Sequence, residues 1–171
     1  MPRSIDWVID LLRDADSLEE IELVLRGSTR AAVNAQGATV VRREGNQCFY
    51  ADEDAIAPLW KGQRFPLSEC ISGWAMLNDE TVVIPDITVD SRIPQKAYRP
   101  TFVRSLAMVP IGTGAPVGAI GAYWADLHEA SAAEIITLER LAAAAGGALD
   151  RIARRAAGAD GQRDRAWASS Q

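Results

Sequence analysis

Short runs of alternating or β-branched hydrophobic residues occur along this chain, and two pairs of them predict β-hairpins. The runs are 38–43 with 47–52, then 64–67, 81–84, and 103–111 with 117–125. β-Branched and aromatic side chains favour strands, and Gly and Asn favour the turns between them. The turns here are Glu44-Gly45-Asn46 and the Gly-rich segment 112–116. The pattern therefore predicts two β-hairpins, each an antiparallel pair of strands.

Two capping boxes predict where the long helices begin. Ser17 is followed by Glu20, and Ser131 is followed by Glu134. At this spacing the hydroxyl and the carboxylate bind backbone N–H groups that the first helical turn leaves unpaired. We expect one helix near each end of the chain, with an apolar face that packs on the sheet.

The last helix, expected to end near Arg155, carries apolar or small residues at a regular spacing. They are Ile135, Leu138, Ala142, Ala145, Leu149 and Ile152. The spacing matches the a and d positions of a coiled coil. Two interpretations stay open, because the helix could pair with a second copy or pack on its own sheet.

The length of 171 residues predicts one domain with a core of ordinary size. We expect an N-terminal helical segment at 1–16, the domain proper at 17–157 and a disordered tail at 158–171. No run approaches the roughly 20 apolar residues that a membrane span requires. A cytoplasmic protein without membrane contact is therefore expected.

The net charge of −5 argues against nucleic-acid binding. Residues 150–171 contain five Arg and three Asp, so the rest of the chain is more acidic still. Binding to nucleic acid depends on cations that neutralise phosphates. Neither a metal site nor a catalytic constellation is predicted, because His128 is the only histidine and lies in a loop.

The two cysteines, Cys48 and Cys70, are too far apart in sequence for a Cys-x-x-Cys motif, and reduced thiols are expected. Cys70 precedes a predicted helix, whose dipole would lower the thiol pKa and make it reactive. Glu69 would oppose a thiolate there. We favour a small buried apolar residue at Cys70 and keep a reactive thiol as the alternative. Cys48, within a strand, is expected to be inert.

The segment 71–111 resembles a GAF domain, and the resemblance extends from about Gln36 to Arg155. The matching parts are the helix SGWAMLN, the strand and turn TVVIPDITVDSRI, and the strands VRSLAMVPI and PVGAIGAYWA, in the family's order. The resemblance implies an α+β fold with a central antiparallel sheet of five or six strands. The terminal helices would pack on one face, and a ligand cavity would lie on the other.

The resemblance also implies where a ligand would bind, namely under the connections between Trp60 and Phe102. Large rings that could wall the cavity are Trp60, Phe65, Trp74, Tyr98, Phe102, Tyr123 and Trp124. Possible polar anchors are Arg99, Arg104 and Ser105. Core packing is the alternative role for each ring. Since Arg104 and Ser105 alternate along one strand, at most one should face the cavity.

Two specialised branches of the family fit poorly. A covalently attached bilin would need a cysteine near residues 93–95, where this chain has Ile-Pro-Gln. In the free methionine sulfoxide reductases, a cysteine stands where this chain has Ser72, and serine cannot form sulfenic or disulfide intermediates. The cofactor is unknown, and no covalent bilin is expected.

Three functions follow as hypotheses. The leading one is a non-catalytic, small-molecule-sensing or regulatory module that acts in signal transduction. The resemblance implies a homodimer built through the terminal helices and a histidine kinase or other signalling protein as partner. The alternatives are a thiol-dependent redox enzyme or sensor centred on Cys70 and a dimerisation adaptor that binds no ligand.

Overall fold

The computed structural model describes residues 4–169. In chain order the elements are α1 (Asp6–Asp14), α2 (Leu18–Ala32), β1 (Gly37–Glu44), β2 (Gln47–Ala55), β3 (Arg64–Pro66), a 3₁₀ turn (Leu67–Glu69), α3 (Ile71–Asn78), β4 (Val82–Ile84), α4 (Gln95–Tyr98), β5 (Ser105–Ile111), β6 (Gly118–Trp124) and α5 (Ala132–Ser169). The first three residues of the N-terminal segment and the last two of the expected tail lie outside the described residues.

The strands form one sheet in the order β3-β2-β1-β6-β5-β4, and every neighbouring pair is antiparallel. Both predicted hairpins are present as β1–β2 and β5–β6. The short strands β3 and β4 close the two edges. The prediction of an α+β fold with an antiparallel sheet is therefore confirmed.

Alternation along the strands creates two cores, one on each face of the sheet. In β5, Ala107 and Val109 join the core under the helices, whereas Leu106 and Met108 join the core on the opposite face. Helices α1, α2 and α5 all pack on the first face. The predicted placement of the terminal helices on one face is confirmed.

The predicted capping box of α5 forms in full, whereas at α2 the carboxylate binds the residue before the N-cap. Ser17 Oγ accepts a hydrogen bond from Glu20 N at 3.1 Å, and the Glu20 carboxylate accepts one from Asp16 N at 2.9 Å. Ser131 and Glu134 bond reciprocally, at 3.1 and 2.8 Å. These bonds satisfy orphan N–H groups and fix the starts of α2 and α5.

The apolar stripe of α5 is used within the chain. Leu138, Ala142 and Ala145 are buried, and Ile135, Leu149 and Ile152 pack beside them against the sheet and the other helices. The interpretation that this helix packs on its own sheet is therefore correct for the stripe. A coiled-coil seam between two copies cannot use the same side chains.

Helix α5 is also longer than the sequence predicts. It continues to Ser169 instead of ending near Arg155, so residues 158–169 are helical where a disordered tail is expected. The segment contains helix-forming Ala, Arg and Gln and no Pro, and Gly158 and Gly161 only weaken the helix. Local propensity explains this difference.

Candidate functional site

On the sheet face opposite α1, α2 and α5, aromatic rings are packed where the sequence predicts a ligand cavity. Tyr50 of β2 contacts Trp60 and Phe65 edge to face, with ring centroids 5.6 and 5.5 Å apart. Trp60 also packs on Tyr98 and Tyr123, with centroids 4.6 and 5.5 Å apart. All except Phe65 are buried. The rings therefore form the core of this face.

A groove of about 800 Å³ lies beside this aromatic cluster. Trp60 and Phe65 form part of its wall, together with Ile93, and Arg92 and Lys96 contribute cationic groups. Pockets of this size, apolar with a few polar groups, are typical sites for small organic molecules. The groove is the best candidate ligand site on the face where the sequence predicts one.

A single carboxylate holds the backbone that presents Trp60. Glu53 accepts hydrogen bonds from Leu59 N at 2.8 Å, Trp60 N at 2.9 Å and Lys61 N at 2.7 Å. The Trp60 indole then donates to the carbonyl of Ala97 at 3.1 Å. Hydrogen bonds to a charged acceptor are stronger than neutral ones. Glu53 thus fixes one wall of the groove to β2.

Arg92 links the groove to α3. Its guanidinium makes two hydrogen bonds with the carboxylate of Asp90, at 3.0 and 2.7 Å, and lies 4.7 Å from the ring centre of Trp74. The hydrogen bond from Arg92 lowers the pKa of Asp90. The ion pair and the ring hold Arg92 in place at the groove.

The three buried tyrosines differ in how their hydroxyls are satisfied. The Tyr123 hydroxyl is 3.0 Å from Thr39 Oγ1, and the Tyr50 hydroxyl is 3.0 Å from Ser72 Oγ. The Tyr98 hydroxyl has no hydrogen-bond partner, the one such buried side-chain atom within residues 4–169. Burial raises the pKa of all three phenols, so each remains protonated.

The two cysteines, both free thiols, lie side by side although they are distant in sequence. Cys70 Sγ is 3.1 Å from Cys48 Sγ and 3.4 Å from Ser72 Oγ. The contact with Cys48 lowers the pKa of Cys70 to about 7, with burial opposing. The same contact raises the pKa of Cys48. Cys70 is buried, as the sequence predicts, but the contact with Cys48 was not part of that prediction.

The remaining predicted site residues lie outside the groove. Arg99 and Arg104 are exposed, and Ser105 lies on the helix side of the sheet, where its hydroxyl donates to Asp126 O at 2.7 Å. This corrects the prediction of Arg104 and Ser105 as polar anchors. Phe102 is half-buried against the aromatic core.

Trp124 also belongs to the helix side of the sheet. Its ring lies 4.4 Å from that of His128, whose Nε2 is 2.8 Å from the Glu134 carboxylate. His128 lies in the loop before α5, as the sequence predicts, and is half-buried there. It therefore has a structural position at the start of α5.

A family model described as "GAF domain" matches residues 15–150. The chain belongs to the GAF domain family. No curated protein matches the sequence significantly. The match to the family model confirms the resemblance found in the sequence and covers every strand of the sheet.

Solved structures share this GAF fold at low sequence identity. The GAF domain of a phosphoenolpyruvate-protein phosphotransferase from Coxiella burnetii has a TM-score of 0.77 at 14% identity, covering 90% of this chain and 94% of that one. A free methionine-R-sulfoxide reductase from Neisseria meningitidis has 0.73 at 16%, covering 88% and 89%. The chromophore-binding domain of a bacteriophytochrome from R. palustris has 0.73 at 13%, covering 90% and 61%. The neighbours thus include signalling proteins and an enzyme.

Several residues of this GAF site could not be identified in the sequence. Asp52 and Glu53 are neighbours in β2, and the sequence does not show that Glu53 is the one that binds the backbone of residues 59–61. The alternation of β2 could have identified Tyr50, which is two residues from Cys48 and faces the same core.

Within the described residues, no helix has the length and hydrophobicity needed to cross a bilayer.

Proposed function

We propose that this GAF domain is a non-catalytic module that senses a small molecule in signal transduction and relays binding through its terminal helices. The supporting observation is the groove of about 800 Å³ beside the aromatic cluster. Tyr98, whose ring packs on Trp60 of the groove wall, has a buried hydroxyl without a hydrogen-bond partner within residues 4–169. This hydroxyl is a further hydrogen-bonding group beside the groove. The proposed setting is the cytoplasm.

The groove lining contains apolar side chains, two cations and the carboxylate of Glu69, and the unpaired cation favours a ligand with an apolar body and an anionic group. Trp60, Phe65 and Ile93 supply apolar surface. Arg92 is already paired with Asp90, whereas Lys96 forms no ion pair within residues 4–169. An ammonium group without a carboxylate partner is well suited to bind an anion. Lys96 is therefore the proposed contact for the charged end of the ligand.

Native mass spectrometry of the protein purified from its own source would test this function. A co-purifying small molecule would support the proposal and would also give the stoichiometry. Purified material with no bound molecule, and no thermal stabilisation by a library of small anions, would contradict it. Ligands that bind the folded state raise the apparent stability by mass action.

A matched pair of variants would locate the ligand. Gln63 is exposed and lines the groove, so Gln63→Trp narrows it, whereas Val89 is 82% exposed and does not line it. We expect Gln63→Trp to abolish ligand-induced stabilisation and Val89→Trp to leave it unchanged. Equal behaviour of the two variants would contradict binding in the groove.

Relay through the helices is proposed to involve a homodimer. Trp7 and Leu11 of α1 are 56% and 46% exposed, and residues 153–160 and 162–169 of α5 are exposed. Isolated helices shorter than about 12–15 residues are only marginally stable in water, so contact with a second copy would explain why this exposed extension is helical. Light scattering at high concentration should give the dimer mass, and a monomer mass would contradict the proposal.

A second candidate function is a dimerisation adaptor that binds no ligand. It is favoured by the aromatic rings, which occupy the sheet face where a cavity is predicted. In either case the proposed partner is a histidine kinase or another signalling protein. Native mass spectrometry separates the two functions, because the adaptor would purify as a dimer without a bound molecule.

A further inference from the structure

Cys48 and Cys70 bring two buried thiols into contact where β2 meets the start of α3. Their Sγ atoms are 3.1 Å apart, and both cysteines are free. A disulfide requires about 2.05 Å between the sulfurs, so a movement of about 1 Å would join them. We propose that Cys48 and Cys70 are a redox pair, which a peroxide converts into a reversible intramolecular disulfide.

Regular structure on both sides holds the sulfurs together. Cys48 lies opposite Phe65 in the β2–β3 ladder. The chain then passes through the 3₁₀ turn, and Cys70 stands immediately before α3 without using its sulfur as a helix cap. Gly73 lets the first turn of α3 pack closely on the 3₁₀ turn, because a Cβ there would collide with the carbonyl of Leu67. The contact is therefore set by packing.

The surroundings make the two thiols unequal. The hydrogen bond with Cys48 lowers the pKa of Cys70, and the Ser72 hydroxyl and the Gly73 N–H act in the same direction, against burial and Glu69. The pKa of Cys48 is raised, although Arg43 opposes this. Cys70 is thus the thiolate that reacts first, and Cys48 is the thiol that resolves the product.

Oxidation of the thiol pair by hydrogen peroxide takes two steps. The Cys70 thiolate attacks one oxygen of hydrogen peroxide, which forms an S–O bond, breaks the O–O bond and releases hydroxide that becomes water on protonation. Cys48 then loses its proton and attacks the Cys70 sulfenic sulfur, which forms the S–S bond and releases the second oxygen as water. The pair loses two electrons, and the peroxide gains them. A dithiol reductant would reverse the reaction by exchange.

The disulfide would act on the groove. It would close a loop through residues 49–69, which carries Trp60 and Phe65 of the groove wall. Glu69 also lines the groove and is adjacent to Cys70. Oxidation would therefore tie this wall to the start of α3, so the redox state and the groove would be physically linked.

Intact-mass measurement of the full chain during hydrogen peroxide titration would test the pair. We expect the loss of two hydrogen atoms, the disappearance of both free thiols, and a Cys48–Cys70 cross-link in a non-reduced peptide digest. A dithiol should restore the starting mass. Addition of oxygen without cross-linking, or a cross-link only between two chains, would overturn the proposal. This measurement needs no variant.

Two variants would separate the roles of the cysteines. Cys48→Ser should let a sulfenic acid accumulate on Cys70, where dimedone would label it. Cys70→Ser should slow the peroxide reaction of the remaining thiol at least about tenfold, because the reactive thiolate is gone. Equal reaction rates of the two variants would contradict the assigned order. Circular dichroism would show that both variants are folded.

Discussion

Replacing Tyr98 with phenylalanine would remove the buried hydroxyl that has no hydrogen-bond partner within residues 4–169. Leaving such a group unpaired costs about 1–3 kcal/mol, and the ring itself keeps its contact with Trp60. We therefore expect Tyr98→Phe to raise the free energy of unfolding by about 1–2 kcal/mol. Stabilisation by deletion of a polar atom is an unusual result for a core residue.

Tyr123→Phe is the matched control, because it removes the same atom from an equally buried ring. The Tyr123 hydroxyl is bonded to Thr39, so its loss leaves the buried Thr39 hydroxyl unpaired. We expect the free energy of unfolding to fall by about 1–3 kcal/mol. The two variants should thus change stability in opposite directions.

Urea denaturation measures both changes. The free energy of unfolding should fall with urea concentration at the same slope in the unmodified protein and the two variants, so that the midpoints can be compared directly. A loss of stability in Tyr98→Phe equal to that in Tyr123→Phe would refute the reasoning. In that event an ordered water or a retained ligand satisfies the Tyr98 hydroxyl in the native protein.

Three further changes test other parts of the structure. Glu53→Ala removes the acceptor of three backbone hydrogen bonds and should lower the free energy of unfolding in urea by about 2–4 kcal/mol, whereas exposed Glu129→Ala should change it little. Since the pKa of Cys70 is lowered to about 7, its iodoacetamide reaction should accelerate as pH rises through that value. A rate that first rises near pH 9 would contradict a stabilised thiolate. Gly121→Ala would place a Cβ 2.5 Å from the Tyr123 hydroxyl, and overpacking of this kind costs about 1–3 kcal/mol. We therefore expect a lower unfolding temperature in calorimetry. Gly147→Ala is the control, because a Cβ there would have no atom within 4 Å and should leave the unfolding temperature unchanged.

The sheet and the helix starts could be predicted because their signals are local. Alternation in 38–52 and 103–125 determines which side chains face each core, and the Ser131–Glu134 spacing marks the start of α5. The length of α5 could not be predicted, because Gly158 is compatible with either a helix or a tail. Its stripe was ambiguous because packing on a sheet and packing on a second helix require the same periodicity.

The site was harder to predict because its contacts join distant parts of the chain. Cys48 and Cys70 meet only through the β2–β3 ladder and the turn before α3, so the thiol pair is invisible at the sequence level. Alternation shows that Arg104 and Ser105 cannot both face the cavity, but it does not show that neither lines the groove, which follows from the Ser105–Asp126 hydrogen bond and the exposure of Arg104. Of the predicted rings, Trp60 and Phe65 line the groove, whereas Tyr98 and Tyr123 form the core behind it.

The sheet is the physical connection between the groove and the helix that would carry a signal. Trp60 packs on Tyr123 of β6, and the next residue of that strand, Trp124, joins the core under the helices. At the other end of the hairpin, a Cβ at Gly146 of α5 would lie 3.2 Å from the backbone nitrogen of Gly112. Close packing transmits small displacements, because interiors have few voids to absorb them. A ligand that moves Trp60 would therefore act on α5 through β5 and β6, without any contact between ligand and helix.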